Sequence, residues 1–178
     1  MFDEPEFWKK ICNSDAEAFD IWYRETAPRL LAFLRHLLGN EQAAEDVMQE
    51  TFTQIWRRPF GFDPERGTLR AYLFGTARKQ AAEWSRKLKP ADALAFDPLT
   101  RCHIETASIF AEAFDRLSPE QRTLLWLREV EGQSYAELAG ILEIPIGTVR
   151  SRLFAAREAL RAIWHGAPNP AGDPHGLR

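Results

Sequence analysis

Apolar residues recur at spacings of three and four along most of this 178-residue chain, and no segment shows the period-two alternation typical of a strand. The pattern predicts long helices over residues 15–38, 41–57 and 68–88. Pro28 lies inside the first of these helices and should kink or split it, because proline removes a backbone donor. The sequence therefore predicts an all-α fold class.

A loss of this periodicity divides the chain into two small helical domains. The pattern fades after the third long helix, so we predict a first domain over residues 1–89, a flexible linker over 90–104 and a second domain over 105–165. The last segment, 166–178, has three prolines and three glycines and is predicted to be disordered.

Charge is unevenly distributed, although the net charge is only −3. Residues 1–56 carry 5 Lys and Arg against 11 Asp and Glu, whereas residues 57–89 carry 9 against 3. An acidic segment followed by a basic one indicates two partners of opposite sign. On charge alone the alternative stays open, namely a charged surface that only keeps the protein in solution.

Composition argues against several classes of protein. The chain is 45% hydrophobic, but no apolar run approaches the roughly 20 residues that cross a bilayer, so no membrane insertion is expected. The acidic start does not resemble a signal peptide, and Cys12 and Cys102 make no disulfide framework, so we expect a cytoplasmic protein.

There is no metal-ligand spacing, glycine-rich phosphate loop or Ser/His/Asp arrangement. We therefore predict no metal, no cofactor and no enzymatic activity.

The strongest local pattern lies near the carboxy terminus. A capping box at Ser134 begins a short helix to Leu142, a tight turn follows, and a longer basic helix begins near Gly147. Two helices joined by such a turn are typical of a helix-turn-helix. About 100° around from its apolar face, the longer helix carries a stripe formed by Arg150, Phe154, Arg157 and Arg161.

Phe154 is an aromatic residue in a basic stripe that should face solvent. In a DNA major groove, Phe154 would pack on thymine methyl groups while Arg150 contacts guanine or a phosphate. The alternative is that Phe154 packs under the preceding helix.

Three segments of this module, residues 117–122, 131–139 and 144–152, resemble region 4 of the extracytoplasmic-function (ECF) sigma factors. The resemblance implies a domain that reads the minus-35 promoter element and docks on the flap of the RNA polymerase beta subunit. It also implies two sets of DNA contacts on the longer helix. Towards base edges lie Arg150, Ser151 and Phe154, and near the DNA backbone lie Thr148 and Arg157.

One departure from region 4 concerns Ala155. Many members of the family have a basic residue at this position. The DNA sequence that this chain reads should therefore differ from theirs.

The helix over residues 41–57 has an acidic face opposite its apolar one. Its members are Glu45, Asp46, Gln49, Glu50 and Thr53. Such a face repels phosphates and suits a basic protein surface. Residues 44–52 resemble region 2.2 of the same family, which implies binding to the clamp-helix coiled coil of the polymerase beta-prime subunit. An ordinary solvated helix face is the alternative.

The helix over residues 68–88 combines cations with aromatic rings, as does the loop before it. Cations hold the phosphates of a DNA strand, and aromatic faces stack on unpaired bases. Residues 71–79 look like a diverged region 2.3–2.4, which implies capture of the melted minus-10 element. The candidate contacts are Phe60, Phe62, Arg66, Tyr72, Phe74, Arg78, Lys79 and Arg86.

Three positions depart from region 2.3–2.4 of most family members, which have Trp, Asn and Asp where this chain has Tyr72, Lys79 and Glu83. The usual Asn helps to hold a flipped base, so Lys79 changes that contact. For Tyr72 and Trp84, packing in the core is favoured over stacking on bases.

The resemblances identify the chain as an ECF-type sigma factor. Such a protein directs core RNA polymerase to promoters and helps to open them, and an anti-sigma factor is expected as a further partner. One alternative is a stand-alone helix-turn-helix regulator, which would bind duplex DNA tightly without polymerase. Another is a protein that mimics a sigma factor in order to sequester its inhibitor, and this protein would not need Arg150 or Phe154.

Overall fold

The computed structural model describes residues 4–87 and 113–165, except the side chains of residues 4, 5 and 66. Every regular element in these ranges is helical, which confirms the predicted all-α class. The chain divides into two compact units between residues 100 and 101. This point lies outside the described residues, as do the predicted linker over 90–104 and the predicted tail over 166–178. Those bounds stay predictions.

Among the described residues, the first unit contains four α-helices. They are α1 (Glu4–Cys12), α2 (Ala16–Leu38), α3 (Glu41–Arg57) and α4 (Leu69–Lys87). The predicted bounds of α3 are confirmed, whereas the sequence patterns do not predict α1. Two short 3-10 turns form the loop between α3 and α4, and they span Pro59–Gly61 and Pro64–Arg66.

Helix α2 runs unbroken over 23 residues although Pro28 lies inside it. The Asp15 carboxylate accepts hydrogen bonds from the first free amides, and Gly39 ends the helix with a φ of 61°, in the left-handed region. The expectation that Pro28 would split the helix is wrong. Pro28 lies on the exposed face, while its neighbours Ala27 and Leu30 are buried and stabilise the helix on both sides of it.

Aromatic rings in edge-to-face contact form much of the core of the first unit. The ring centroids of Phe33 and Phe74 lie 5.2 Å apart and join α2 to α4. The rings of Trp22 and Phe52 lie 5.3 Å apart and join α2 to α3. Contacts of this kind contribute about 0.5–1.5 kcal/mol beyond the burial of area.

Helix α1 extends this core towards the loop before α4. Trp8 and Ile11 are 4% and 1% exposed. The ring centroid of Trp8 lies 5.1 Å from that of Phe62 and 6.3 Å from that of Tyr72. The loop therefore rests on side chains of α1 and α4.

A buried polar contact ties α3 to α4. Oγ1 of the buried Thr51 lies 2.7 Å from the carbonyl oxygen of Val47 and 2.8 Å from Oε1 of Gln80. The Gln80 amide in turn donates a hydrogen bond to Gln54. Because a buried polar group is costly without a partner, this contact favours one rotation of α4 about its axis.

Among the described residues of the second unit, residues 113–115 are helical, and three further α-helices follow them. They are α5 (Pro119–Leu125), α6 (Tyr135–Leu142) and α7 (Ile146–Trp164). A π-helical turn, Trp126–Val130, continues α5, and the chain then reverses at Gly132, whose φ is 69°. The turn between α6 and α7 contains Glu143 with a φ of 56°.

Both predicted capping boxes of the second unit are present, at Ser118 and Ser134. Helix α7 packs against α5 and α6. Its buried face is formed by Val149, Leu153, Ala156, Ala159 and Ile163. The opposite face of α7 is thereby turned to solvent.

Candidate nucleic-acid and protein-binding surfaces

The acidic surface of α3 consists of the five residues predicted for it. Asp46, Gln49 and Glu50 are exposed, while Glu45 and Thr53 are half-buried at its edge. The Asp46 carboxylate accepts a hydrogen bond from Gln42, at 3.1 Å. Burial of the opposite face of α3 holds this surface outward, so the sequence prediction of its position agrees with the structure.

Helix α4 presents cations but few rings to solvent. Lys79 and Arg86 are exposed and Arg78 is half-buried. Phe74, in contrast, is 1% exposed and packs on Phe33 in the core. Phe74 therefore supports the helix from within and offers no ring face at its surface.

The loop before α4 separates its two phenylalanines. Phe60 is 84% exposed, whereas Phe62 is 8% exposed and lies between Trp8 and Tyr72. Of the rings predicted to contact the minus-10 element, Phe60 alone is fully exposed among the described residues. The side chain of Arg66 lies outside the described part of the structure.

Tyr72 is half-buried beneath this loop, in agreement with the preference for packing. Its ring centroid lies 5.6 Å from that of Phe62. Burial raises the pKa of the Tyr72 hydroxyl, and a hydrogen bond with Thr76 and the charge of Lys79 partly oppose this rise. Tyr72 therefore carries an uncharged hydroxyl at neutral pH, next to the backbone of the loop.

The absence of a side chain at Gly61 allows the backbone of the loop to lie close to Tyr72 of α4. A Cβ atom at position 61 would lie 2.5 Å from Oη of Tyr72, which is shorter than real contacts allow. The sequence contains no signal for this requirement, because the approach depends on how the loop folds over Tyr72.

Helix α7 exposes all three of its predicted base-reading residues. Arg150 and Ser151 are exposed, and Phe154 is 68% exposed, so the alternative in which Phe154 packs under α6 is wrong. The Ser151 hydroxyl donates a hydrogen bond to the carbonyl oxygen of Thr148, at 3.1 Å. Thr148 itself is half-buried at the start of the helix.

Arg157 is the one predicted contact of α7 that already has an acidic partner. Its Nη2 and Nε atoms lie 2.6 Å and 3.2 Å from Oε1 of Glu129. The hydrogen bond with Glu129 is the main reason why the pKa of Arg157 is raised, and a second bond with Tyr135 adds to it. Glu129 is a residue that the sequence analysis missed, since it lies 28 positions away in the chain.

Other kinds of site find no support in the part of the chain that the structure describes. Within residues 4–87 and 113–165, no group of three or more His, Cys, Asp or Glu side chains could hold a metal ion. Over the same ranges, every helix is too short or too polar to span a membrane.

Comparisons with known proteins agree with both units. The Sigma-70 region 2 family matches residues 22–90, and the Sigma-70 region 4 family matches residues 108–160. The ECF RNA polymerase sigma factor EcfG of Rhodopseudomonas palustris is 32% identical, and the match covers 78% of this chain and 80% of that protein. The RNA polymerase sigma-H factor of Pseudomonas aeruginosa is 28% identical, and the match covers 85% of this chain and 89% of that protein.

A solved structure extends the likeness to three dimensions. The sigma factor RpoE of Bartonella quintana, crystallised with the anti-sigma factor NepR, superposes with a TM-score of 0.68 at 28% identity. The match covers 83% of this chain and 96% of that one.

The chain therefore belongs to the ECF family of RNA polymerase sigma factors. It is a transcription initiation factor that directs core RNA polymerase to promoters and assists their opening. The match to both regions disfavours a stand-alone helix-turn-helix regulator, which would need only the second.

The contact between Gly61 and Tyr72 leads to a first prediction. We expect Gly61→Ala to lower the free energy of unfolding by about 1–3 kcal/mol, because the new methyl group overlaps the Tyr72 hydroxyl. In a Tyr72→Phe background the same change should cost much less, since the next atom, Cζ, lies 3.5 Å away. Urea unfolding followed by circular dichroism measures both costs. Equal costs in the two backgrounds would contradict the contact.

Proposed function

We propose that three separate surfaces of this sigma factor divide the work of initiation. The acidic surface of α3 binds polymerase, α4 with Phe60 holds the melted strand, and α7 reads duplex DNA. The observation that carries the proposal is the exposure of each surface on a helix whose opposite face is buried in its own unit.

For the acidic surface, the proposed partner is the clamp-helix coiled coil of the polymerase beta-prime subunit. Asp46 and Glu50 lie one turn apart and are both exposed, so they present two carboxylates on one side of α3. Carboxylates repel the phosphates of DNA and attract a basic protein surface. The resemblance of residues 44–52 to region 2.2 supports the same partner.

For α4, the proposed ligand is the melted minus-10 strand of the promoter. Lys79 and Arg86 supply exposed cations for phosphates, and Phe60 supplies a ring for an unpaired base. Stacking of a base on such a ring contributes about 1–3 kcal/mol, which offsets part of the cost of unstacking it. Phe62 and Phe74, being buried, hold the loop and the helix in place.

For α7, the proposed ligand is the duplex minus-35 element. Arg150 and Phe154 are exposed on the same side of the helix, which matches a donor to guanine beside an apolar contact to thymine. Thr148 and Arg157 would contact the DNA backbone. The same unit is proposed to dock on the polymerase beta flap.

Two further proposals follow from the relatives. RpoE of Bartonella quintana was solved with an anti-sigma factor, and we propose that a protein of this kind also restrains this chain. The relatives are named as RNA polymerase sigma factors. We propose that this protein, as an initiation factor, has no enzymatic activity and acts in the cytoplasm, where the polymerase is.

Transcription in vitro with purified core polymerase and genomic fragments tests the proposal as a whole. Transcripts should start at defined sites only when the protein is added. Arg150→Ala should lower this transcription by about tenfold or more, because a bidentate contact to guanine is worth about 1–3 kcal/mol. Its affinity for polymerase, measured by fluorescence anisotropy, should not change. Arg24→Ala, which removes an exposed cation from α2, is the matched control.

A second test concerns the acidic surface. The double variant Asp46→Lys and Glu50→Lys should weaken binding to core polymerase by at least tenfold, since two attractive charges become repulsive. The control reverses two exposed acids of α2, Asp20 and Glu25, and so changes the net charge equally. Equal weakening by both variants would mean that net charge, and not this surface, decides binding.

A third test separates the two DNA-binding surfaces. Phe60→Ala should weaken binding of holoenzyme to a single-stranded minus-10 oligonucleotide by about tenfold, within the range expected for one stacked base. Phe154→Ala should leave that binding unchanged and weaken binding to a duplex that carries the minus-35 element. The assignment fails if each variant affects both DNA probes alike.

A further inference from the structure

The ion pair between Glu129 and Arg157 lies on the side of the second unit that is proposed to bind DNA. Glu129 belongs to the π-helical turn after α5, and Arg157 lies near the middle of α7. The two side chains are 53% and 40% exposed. The pair is therefore accessible to solvent, beside the stripe that also contains Arg150 and Phe154.

The pair occupies one edge of the Arg157 guanidinium group that could otherwise bind a phosphate. Both Nε and Nη2 donate to the same carboxylate oxygen, Oε1 of Glu129, at 3.2 Å and 2.6 Å. These two nitrogens form one edge of the guanidinium group, and such edges bind carboxylate and phosphate groups in two-pronged fashion. A phosphate at this edge would have to displace Glu129, and it would also be repelled by the carboxylate.

The ion pair between Glu129 and Arg157 should contribute little to the stability of the fold. Ion pairs between exposed side chains contribute little to folding. The neighbouring Arg128 already anchors this segment, because its Nη1 donates to the carbonyl oxygen of Gln133 at 2.7 Å and its guanidinium lies 5.0 Å from the Tyr135 ring centroid. The segment should thus keep its place when the Glu129 carboxylate is removed.

We propose that Glu129 limits the affinity of this sigma factor for duplex DNA by competing with a phosphate for Arg157. The proposal rests on the proposed function, in which α7 binds the minus-35 duplex. Because Glu129 competes for Arg157, α7 alone binds non-promoter duplex DNA weakly. Binding becomes strong only when polymerase adds its own contacts to the same promoter.

The test measures holoenzyme binding to a labelled duplex that carries the upstream element of a promoter transcribed in vitro. Glu129→Gln keeps the shape of the side chain and removes its charge. We expect Glu129→Gln to bind the duplex about three- to tenfold more tightly at 50 mM salt. One additional phosphate contact makes the logarithm of the binding constant fall more steeply with the logarithm of the salt concentration, by about 0.9 in slope. The gain in duplex affinity should therefore be roughly threefold smaller at 200 mM salt than at 50 mM.

The matched control is Asp115→Asn, which removes one exposed charge from the same unit. Asp115 lies 3.9 Å from Arg122, whose side chain is 13% exposed and is not on α7. This control should leave duplex affinity nearly unchanged. In an Arg157→Ala background, Glu129→Gln should have a much smaller effect, because only the repulsion between the carboxylate and the DNA phosphates is then removed. Thermal melting by circular dichroism checks that each variant is folded.

The outcomes separate this inference from the function on which it rests. If Arg150→Ala binds the duplex as tightly as the wild type, the proposed role of α7 is wrong. If Arg150→Ala weakens binding but Glu129→Gln does not tighten it, only the role of Glu129 is wrong. The inference is also overturned if Asp115→Asn raises the duplex affinity as much as Glu129→Gln does. The same holds if Glu129→Gln raises it equally in the Arg157→Ala background.

Discussion

Burial of one side of α3 between α2 and α4 is the constraint on which the first unit depends. A helix has about 3.6 residues per turn, so burying one face fixes the direction of every other residue on it. The Thr51–Gln80 contact and the rings of Phe33 and Phe74 determine which faces of α3 and α4 point inward. The acidic side of α3 and the basic side of α4 are consequently both exposed to solvent. A partner that is basic and a partner that is anionic can then bind the same small unit.

The loop before α4 shows how the same core controls one exposed ring. Phe62 is held in the core by Trp8 of α1 and by Tyr72 of α4. Gly61 allows the backbone to lie directly on the Tyr72 hydroxyl. Phe60, two residues before Phe62, is left in solvent. The exposed position of Phe60 is thus enforced by the burial of its neighbours.

Local features were predictable because local forces decide them. Helix α3, the capping boxes at Ser118 and Ser134 and the turn at Gly132 depend on residues within a few positions of each other. Features that depend on distant residues were not predictable. Helix α1 is short and becomes stable only when Trp8 reaches a core built by α2 and α4. The unbroken course of α2 through Pro28 likewise depends on burial of its neighbours.

The amino-acid sequence by itself determined the helical class, the two modules, the acidic and basic surfaces and the membership of the sigma factor family. Helical periodicity, capping boxes and motifs depend on residues that are close together in the chain. The residues that a helix exposes follow from those that it buries. Only the tertiary structure decided which of the aromatic residues reach solvent and that Arg157 pairs with the distant Glu129. Phe60 differs from Phe62 and Phe74, and Arg157 from Arg150, through contacts with residues far away in the chain. Such contacts are set by how helices pack, and spacing along one helix carries no information about them.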